Sequence, residues 1–552
     1  MQSKITLSLF IVLFTAQNRL MAQSFPKILT DKSVKEQQYL PDFSYAGYHF
    51  GEEEPNTENW KVIKAADYGV IADDGRDDSQ ALLKAIAATK SIDEPVILQL
   101  PSGRIILSEV FYIERSQFVL RGSGSGVNGT ELFFPRPLMY LKDPESLTEL
   151  REYLLKFDKR QREKENNIDL PFSQYAWSGG FIWLRVPGER VKYYLHKYDS
   201  PATVLAAVTN GERGEHTLKV NQVKNLHVGD VVQLELFNKE GEKGKILQDL
   251  YKGTDVKVGA HHWEFPDLPI VRQQVTITAI SKNKIEIKSP LTLSIKPEYK
   301  ARLTVWKHLT EVGIEQLRIT FPKAPKMAHH VEMGYNAIYL TRLYNGWVND
   351  VTITNADSGI LTEAVANTTI KNIVTNGENV AHYSVAMSGV YDVLVNNLKV
   401  YNPVIHPLSF NTFATKSVYQ NCEVFINPDL DQHAGANHQN LFDNITVHVD
   451  PKTDHSYPLF AGGGAGYWKP SHGAYSTFWN INVHVLSGLD NKKPIVLDGM
   501  KDGPFARIIG VHGNHKLEVD YGPNPYIEWI NTSLNPVPSL YDYQLQKRLQ
   551  KN

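Results

Sequence analysis

Residues 347–400, WVNDVTITNADSGILTEAVANTTIKNIVTNGENVAHYSVAMSGVYDVLVNNLKV, contain the motif that decides the fold. The motif is a polar residue, then Asn or Asp, then two apolar residues separated by one other residue. It recurs along the second half of the chain with steps of 22 to 25 residues and then one longer step, which defines a repeat with an inserted loop. The motif positions are Asp350, Asn372, Asn397, Asn421, Asn444 and Asn480.

The repeat unit is rich in Val, Ile, Thr and Asn, and it is too short for a pair of helices. This length predicts an all-β fold, a right-handed parallel β-helix, in which each coil buries its inward side chains by stacking on its neighbours. We expect Asn372, Asn397, Asn421 and Asn444 to be structural. Their side-chain amides would form a ladder by bonding to the backbone of the next coil.

A second signature precedes the repeat. The segments ADYGVIADDGRDDSQALLKAI (66–86), VILQLPSGRIIL (96–107) and LRGSGSG (120–126) predict a strand, an acidic turn, a helix and two further strands. This order resembles the N-terminal cap of the pectate-lyase-like β-helix superfamily, in which a short helix plugs the open end of the coil. The acidic turn is interpreted as a helix cap and not as a metal site.

The chain divides into four predicted parts. Residues 1–22 have the positive charge and apolar run of a signal peptide. Residues 23–60 form an N-terminal arm, and residues 61–515 form the β-helix, with insertions at about 142–167 and 185–300. Residues 516–552 predict a closing strand and a short basic helix that caps the open end. We expect a monomer that is secreted, extracellular or periplasmic, without membrane insertion.

The charge balance narrows the class of partner. The 58 Lys and Arg residues nearly equal the 60 Asp and Glu residues, so the net charge is −2. Binding of a phosphate backbone requires a basic surface, which argues against a nucleic-acid partner. The single cysteine, Cys422, excludes an intrachain disulfide and a cysteine zinc site.

The repeat also places candidate functional residues on neighbouring coils. His382, His406 and His433 follow three successive motif positions at similar offsets. Because stacked coils are about 4.8 Å apart, we expect these three imidazoles to face one groove. A second column lies five residues before the motif positions, and we expect it to converge on the same groove. It comprises Asp392, Lys416 and Gln439, with His438 adjacent, and Tyr383 follows His382.

Such side chains suit β-elimination on a uronic-acid polysaccharide. A cation or donor masks the C6 carboxylate, a base removes the C5 proton, and an acid protonates the leaving oxygen. The segments HYSVAMSGVYDVLVNNLKVYNPVIHPLSF (382–410) and DQHAGANHQNLFDNITV (431–447) resemble secreted bacterial polysaccharide-degrading β-helix proteins. The resemblance implies a polysaccharide lyase acting on an acidic, sulfated polymer such as ulvan.

On this interpretation, each candidate has a role. His406 is the base and Tyr383 is the acid, while Lys416 and His433 neutralise the carboxylate or bind sulfate. The supporting donors to substrate are His382, His438 and Gln439.

Two alternatives use other chemistry. A glycoside hydrolase on the same fold needs two carboxylates, for which Asp392, Asp429 and Asp431 are candidates. Asp429 and Asp431 are instead possible oxygen ligands for Ca²⁺ in a lyase. The second alternative is a glycan-binding β-helix without catalysis.

Overall fold

We describe the fold from a computed structural model. The described residues are 25–156, 172–189, 202–239, 243–251, 267–326, 328–433, 435–451, 455–460, 469–470, 473–486, 493–499 and 502–550. The predicted signal peptide, residues 1–22, lies outside them. Among the described residues, no helix has the length and apolar character needed to cross a bilayer.

The α-helices are short and lie at the ends or in the insertions of a chain dominated by strands. They are α1 (Lys27–Thr30), α2 (Lys32–Gln37), α3 (Ser79–Thr89), α4 (Glu145–Lys156), α5 (Lys245–Leu250) and α6 (Leu540–Leu549).

The strands before and within the large insertion begin with β1 (Lys61–Lys64), β2 (Val96–Gln99), β3 (Gly103–Ile106), β4 (Phe111–Ile113), β5 (Phe118–Arg121), β6 (Thr130–Phe133) and β7 (Ile182–Leu184). They continue with β8 (Val204–Asn210), β9 (Thr217–Val220), β10 (Val231–Phe237), β11 (Pro269–Ser281), β12 (Lys284–Ile287) and β13 (Arg302–Val305).

The repeat region contains β14 (Leu309–Thr310), β15 (Val312–Thr320), β16 (Asn336–Tyr344), β17 (Trp347–Thr354), β18 (Ser358–Ala366), β19 (Thr369–Asn376), β20 (Ala381–Met387), β21 (Val390–Tyr391), β22 (Leu394–Val400), β23 (Val404–Phe410), β24 (Val418–Gln420), β25 (Glu423–Val424), β26 (Leu430–Gln432) and β27 (Leu441–Val449). The last strands are β28 (Ser456–Phe460), β29 (Thr477–Val485), β30 (Ile495–Gly499), β31 (Arg507–Gly513), β32 (Leu517–Asp520) and β33 (Tyr526–Glu528).

Two long parallel sheets form the body. Sheet A runs in the order β1-β2-β5-β15-β17-β19-β22-β24-β27-β29-β31-β33, and sheet B runs β4-β7-β16-β18-β20-β23-β26. In the repeat the chain alternates between the sheets, as in β16 to β17 to β18, and each strand pairs in parallel with the equivalent strand of the next coil. The architecture is the predicted right-handed parallel β-helix, with a continuous apolar core between the sheets.

The asparagine ladder lies on sheet A. Asn397 Nδ2 donates to Asn372 Oδ1 at 2.8 Å, Asn444 donates to Asn421 at 2.7 Å and Asn480 donates to Asn444 at 2.9 Å. The prediction of backbone acceptors was therefore wrong, because the acceptor is the side-chain oxygen of the preceding coil. The ladder residues share a left-handed backbone with φ near +56°, which Asn tolerates better than most residues: the φ values are 57° at Asn372, 56° at Asn397, and 55° at Asn421, Asn444 and Asn480.

The N-terminal cap is α3. Leu82 and Ile86 of this helix are buried in the core formed by the first coils. The backbone N–H of Ser79 donates to Asp77 Oδ1 at 2.8 Å, so the acidic turn meets the unpaired N–H groups at the start of the helix. The helix closes the end of the core as the sequence predicted.

The large insertion contains an antiparallel closed barrel of β8 to β13, which covers residues 204–305. It contacts the β-helix at one corner of sheet B. Gln273 Nε2 donates to the Tyr391 hydroxyl at 2.6 Å, and Thr276 Oγ1 lies 2.6 Å from the Tyr344 hydroxyl. The barrel is thus a lobe attached beside sheet B.

The N-terminal arm and the C-terminal tail pack together against the outer side of sheet A. Phe43 of the arm and Tyr541 of the tail share an apolar cluster with Leu394, Val418 and Leu441 of sheet A. The helix α6 was expected at the open end of the coil. It lies along the side of the coil instead, because sheet A presents apolar side chains outward there.

Candidate functional site

Five imidazoles meet beside sheet B and in the loop that precedes β16. His329 and His330 lie in that loop, His382 is in β20, His406 is in β23 and His433 directly follows β26. We call these five residues the histidine cluster. Ring centroids are 5.4 Å apart for His382 and His406, and 4.5 Å apart for His406 and His433.

The three histidines of the sequence prediction are brought together, but they are not one column in register. Tyr383, and not His382, is the register partner of His406. His433 lies beyond the paired segment of β26, where Gln432 is opposite Phe410. The expectation of equivalent positions was therefore wrong, because loop lengths shift the offsets and the long side chains bridge the difference.

The loop histidines extend the cluster toward the previous coil. His329 Nε2 lies 3.2 Å from His382 Nε2, and the rings of His329 and His330 are 3.7 Å apart. The ring of Phe172 contacts the ring of His330 at 4.1 Å. This contact holds the loop against the segment before β7.

Two carboxylates orient the imidazoles. Glu332 Oε1 lies 3.1 Å from His382 Nδ1. Asp431 Oδ2 lies 3.3 Å from His406 Nδ1 and 3.6 Å from His433 Nδ1. Because the Nδ1 atoms face these carboxylates, the Nε2 atoms of the three rings are turned away from them.

Burial sets the protonation of the cluster. It lowers the pKa values of His330, His382 and His406, and it lowers the pKa of His329 to about 2, with repulsion between the imidazoles adding to the effect. Burial also raises the pKa of Glu332 to about 7. It would likewise raise the pKa of Asp431, but electrostatic attraction to His406 and His433, together with hydrogen bonds from them, holds that pKa well below its usual range. Burial therefore favours the uncharged form of His406, while Asp431 stays ionised beside it.

Tyr383 belongs to the same group of side chains. Its ring stacks on His382 at 4.1 Å and lies 5.3 Å from the His406 ring. Its hydroxyl accepts a hydrogen bond from Asn411 Nδ2 at 3.0 Å. Burial raises the Tyr383 pKa well above its usual value, so the phenol keeps its proton.

Lys416, His438 and Gln439 lie elsewhere. Lys416 Nζ donates to the backbone oxygen of Asp42 in the arm. Gln439 Nε2 donates to Thr292 O at 2.9 Å, and buried His438 Nδ1 lies 3.4 Å from Ala436 O.

The expectation that these three residues share the histidine groove was wrong. Lys416 and Gln439 have left-handed backbone at the corner from sheet B to sheet A, whereas His382 and His406 lie near the start of their sheet B strands. The number of residues from a motif position gives the place of a residue along its coil. It does not show which side of the coil faces a groove.

The three carboxylates considered for a hydrolase lie in two different places, the corner from sheet B to sheet A and the histidine cluster. Asp392 is fully buried at the corner covered by the arm, where burial raises its pKa to about 6. Asp429 and Asp431 flank Leu430 beside the cluster. Burial and the charge of Asp431 raise the pKa of Asp429 well above its usual value.

Sequence reasoning missed His329, His330 and Glu332. The segment HHVE (329–332) carried a signal, because two adjacent histidines and a nearby carboxylate precede a predicted strand. Its relation to His382 depends on a loop that folds back over the start of β20. Lys326 also belongs to this loop, and burial lowers its pKa.

A separate cleft of about 320 Å³ lies near the other end of the sheet B strands, between Trp183, Arg342 and α4. Both arginines that line it form ion pairs. Arg342 lies 3.2 Å from Glu189, and Arg185 lies 2.8 Å from Glu114. The histidine cluster is therefore the stronger candidate for chemistry.

Comparison with solved structures finds phage tailspike proteins and a DFA-IIIase at low sequence identity. A tailspike protein, gp49, of Pseudomonas phage LKA1 aligns with a TM-score of 0.47 and 13% identity, over 84% of this chain and 78% of that one. DFA-IIIase from Arthrobacter chlorophenolicus A6, without its lid, aligns with a TM-score of 0.39 and 12% identity, over 85% of this chain and 93% of that one.

The gp54 tailspike of Acinetobacter baumannii bacteriophage AP22, in complex with capsular saccharide, aligns with a TM-score of 0.37 and 11% identity. The alignment covers 85% of this chain and 72% of that one. No family model and no curated protein sequence matches the chain. At these identities no activity is transferred to this protein.

Proposed function

We propose that the protein is a secreted polysaccharide lyase that cleaves a uronic-acid-containing polymer by β-elimination at the histidine cluster. The observation that carries the proposal is the contact of Asp431 with both His406 and His433, beside the Tyr383 phenol. These groups supply a base and a protonated acid side by side within the coil, with Tyr383 2% and His406 7% exposed. Export rests on the charge and apolar pattern of residues 1–22.

The base is His406. Asp431 lies beside its Nδ1, so a proton on Nδ1 is directed to the carboxylate and Nε2 keeps its lone pair. This nitrogen takes the C5 proton of the uronate. The partly exposed side chain of His433 shares Asp431 and contacts the substrate from the neighbouring coil.

Tyr383 is the acid. Its hydroxyl is held by Asn411, and its ring lies beside both His382 and His406. The phenol donates its proton to the glycosidic oxygen as the C4–O bond breaks. The electron pair of the C5–H bond becomes the new C4–C5 double bond, which balances the reaction without water.

The fold suits a linear polymer as substrate. Parallel strands of sheet B repeat at about 4.8 Å along the solenoid, so an extended chain can lie across successive coils. We propose an acidic, sulfated polymer of the ulvan type, following the sequence resemblance. Lys326, in the loop before β16, complements its negative charge.

The second candidate is a glycoside hydrolase. The specific observation in its favour is the opposite shift of two neighbouring carboxyl pKa values, because Asp429 is kept protonated while Asp431 is ionised. The lyase is favoured because Asp431 Oδ2 already accepts a hydrogen bond from Ser409 Oγ at 2.6 Å and faces two imidazoles.

One experiment separates the two chemistries. The secreted chain is incubated with a panel of uronic-acid and neutral polysaccharides, including ulvan, and assayed for ultraviolet absorbance of an unsaturated uronide and for reducing ends. Elimination yields both signals, whereas hydrolysis yields reducing ends alone. Binding of a polymer without either signal would support the non-catalytic alternative and refute the lyase proposal.

A further inference from the structure

Three histidines at the edge of the cluster have the geometry of a metal site. The candidate ligand atoms of His329, His330 and His382 all lie within 4.8 Å of one another. His329 Nε2 and His382 Nε2 are 3.2 Å apart. Two imidazole nitrogens bound to one tetrahedral Zn²⁺ at 2.0–2.1 Å are separated by about 3.3 Å, so this pair is already at the required spacing.

The surroundings of His382 match those of a ligand. Glu332 Oε1 lies 3.1 Å from His382 Nδ1 and also accepts the backbone N–H of His330 at 3.1 Å. A carboxylate at the second nitrogen is the usual outer contact of a metal-binding histidine, because it fixes the ring and its tautomer. Glu332 therefore lies beside His382 and fixes the backbone at His330.

A hydrogen bond between His329 and His382 explains the short distance between their Nε2 atoms. It does not supply a partner for the other buried imidazole nitrogens. His330 Nδ1 and His406 Nε2 are buried and have no hydrogen-bond partner among the residues that the structure describes. His406 is 7% exposed, and its ring is 5.6 Å from that of His329. A buried nitrogen without a partner is costly, so the unpaired Nδ1 of His330 indicates a ligand beside it.

We propose that His329, His330 and His382 bind a divalent transition-metal ion of the Zn²⁺ class, with Glu332 as the outer carboxylate. Three imidazoles favour zinc and its neighbours over Ca²⁺, which takes six to eight oxygen ligands. The site differs from the Ca²⁺ site considered at Asp429 and Asp431. It also explains why a loop with two adjacent histidines folds over the start of β20.

The role of the ion rests on the proposed function. Three protein ligands leave a coordination position open, as in catalytic zinc sites. The C6 carboxylate of a uronate is a suitable oxygen ligand for that position, and its negative charge would be masked next to His406. The bound ion would thus neutralise the substrate carboxylate, the role that the sequence analysis gave to Lys416 and His433. Two of its ligands come from the loop before β16.

The test measures metal binding directly in the full mature chain. The protein is dialysed against a chelator and titrated with Zn²⁺ by calorimetry, and bound metal is counted by mass spectrometry. In parallel, Co²⁺ is added and its visible absorption is recorded. We expect one tight equivalent of Zn²⁺ and the intense Co²⁺ bands of a tetrahedral nitrogen site.

Variants assign the ion to these residues. His329→Ala, in a partly exposed loop, should abolish the tight equivalent, and Glu332→Gln should weaken binding about 10- to 100-fold. His448→Gln is the matched control, because His448 pairs with Glu423 at 2.9 Å outside the cluster. Circular dichroism confirms that each variant is folded.

The proposed metal site would be overturned if the protein bound no tight equivalent of Zn²⁺. It would also be overturned if wild type and His329→Ala bound Zn²⁺ with equal affinity. Elimination by protein that binds no metal would refute the metal site and leave the lyase proposal standing. Tight metal binding without elimination of any uronate would support the site and refute the lyase.

Discussion

At the level of single residues, Asp431 links the acid–base groups of the site. One of its oxygens faces His406 and His433 and accepts the Ser409 hydroxyl. A buried carboxylate with several donors stays ionised and holds each ring in one tautomer. The chemistry proposed for His406 therefore depends on a residue that does not contact the substrate.

Replacement of the proposed base gives a direct test. His406→Gln should lower kcat for polysaccharide elimination by about 10²- to 10⁴-fold, the usual contribution of a general base. Steady-state assays of unsaturated product measure the effect. Lys416→Met is the matched control. Its side chain binds the arm and not the cluster, so we expect lower thermal stability and unchanged kcat. Equal loss of kcat in both variants would contradict the assignment.

At the level of elements, the asparagine ladder combines a backbone requirement with side-chain hydrogen bonds. Asn397, Asn444 and Asn480 each have a positive φ and donate to the equivalent residue of the preceding coil. Glycine satisfies the first requirement alone and alanine satisfies neither. Glycine and alanine variants at one ladder position therefore separate the contribution of the backbone conformation from that of the side-chain hydrogen bond.

Asn397 is suited to that separation because it is partly exposed and belongs to the middle of sheet A. Asn397→Gly should lower the free energy of unfolding by about 1 kcal/mol, the value of a lost hydrogen bond. Asn397→Ala should cost about 1 kcal/mol more, because its backbone φ is 56°. Urea unfolding measures both, and a more stable alanine variant would contradict this account of the ladder.

The C-terminal helix α6 depends on a carboxylate from the β-helix. Asp443 in β27 accepts hydrogen bonds from the backbone N–H groups of Leu540 at 2.8 Å and Tyr541 at 3.1 Å, and from the Ser539 hydroxyl at 2.6 Å. It thus supplies the cap for the start of the helix from another part of the chain.

Asp443→Ala should lower the free energy of unfolding by about 2–3 kcal/mol, because three buried donors lose their acceptor. Protease sensitivity near residue 540 should increase at the same time. Asp542→Ala is the control, since Asp542 is exposed and accepts one hydrogen bond from Gln420 at 2.9 Å. A larger effect in the control would contradict the capping role.

At the level of the whole molecule, the N-terminal arm joins parts that are distant in sequence. It contacts sheet A, the corner at Asp392 and the tail, and Gly47 N–H donates to Asp392 O at 2.9 Å. His49 of the arm lies 2.8 Å from Glu311 of the β-helix. The hydrogen bond to Glu311 raises the pKa of His49, although burial acts in the opposite direction.

This shift makes docking of the arm depend on pH. The folded pKa of His49 is higher than the unfolded value of about 6.5, so its contribution to stability is complete below about pH 6.5. The contribution is lost as pH rises through the folded pKa. We expect the difference in Tm between wild type and His49→Gln to shrink from pH 6 to pH 8, measured by calorimetry at about 0.15 M salt. A constant difference would contradict the ion pair.

The sequence by itself determined the solenoid and its cap. A repeat of 22 to 25 residues with β-branched positions can bury its apolar side chains only by stacking coils, so the period predicts the architecture without knowledge of loops. The helix at residues 79–89 was predicted for a similar local reason, from the acidic turn and the apolar pattern that follows.

Only the tertiary structure decided which side chains share a site. His406 and Lys416 lie ten residues apart, yet they occupy different corners, because the direction of each turn depends on packing between coils, the arm and the barrel. His329 and His382 are 53 residues apart, yet their nitrogens lie 3.2 Å apart, because a loop folds back over the next coil. Contacts of this kind are set by packing across coils, which a one-dimensional repeat does not encode.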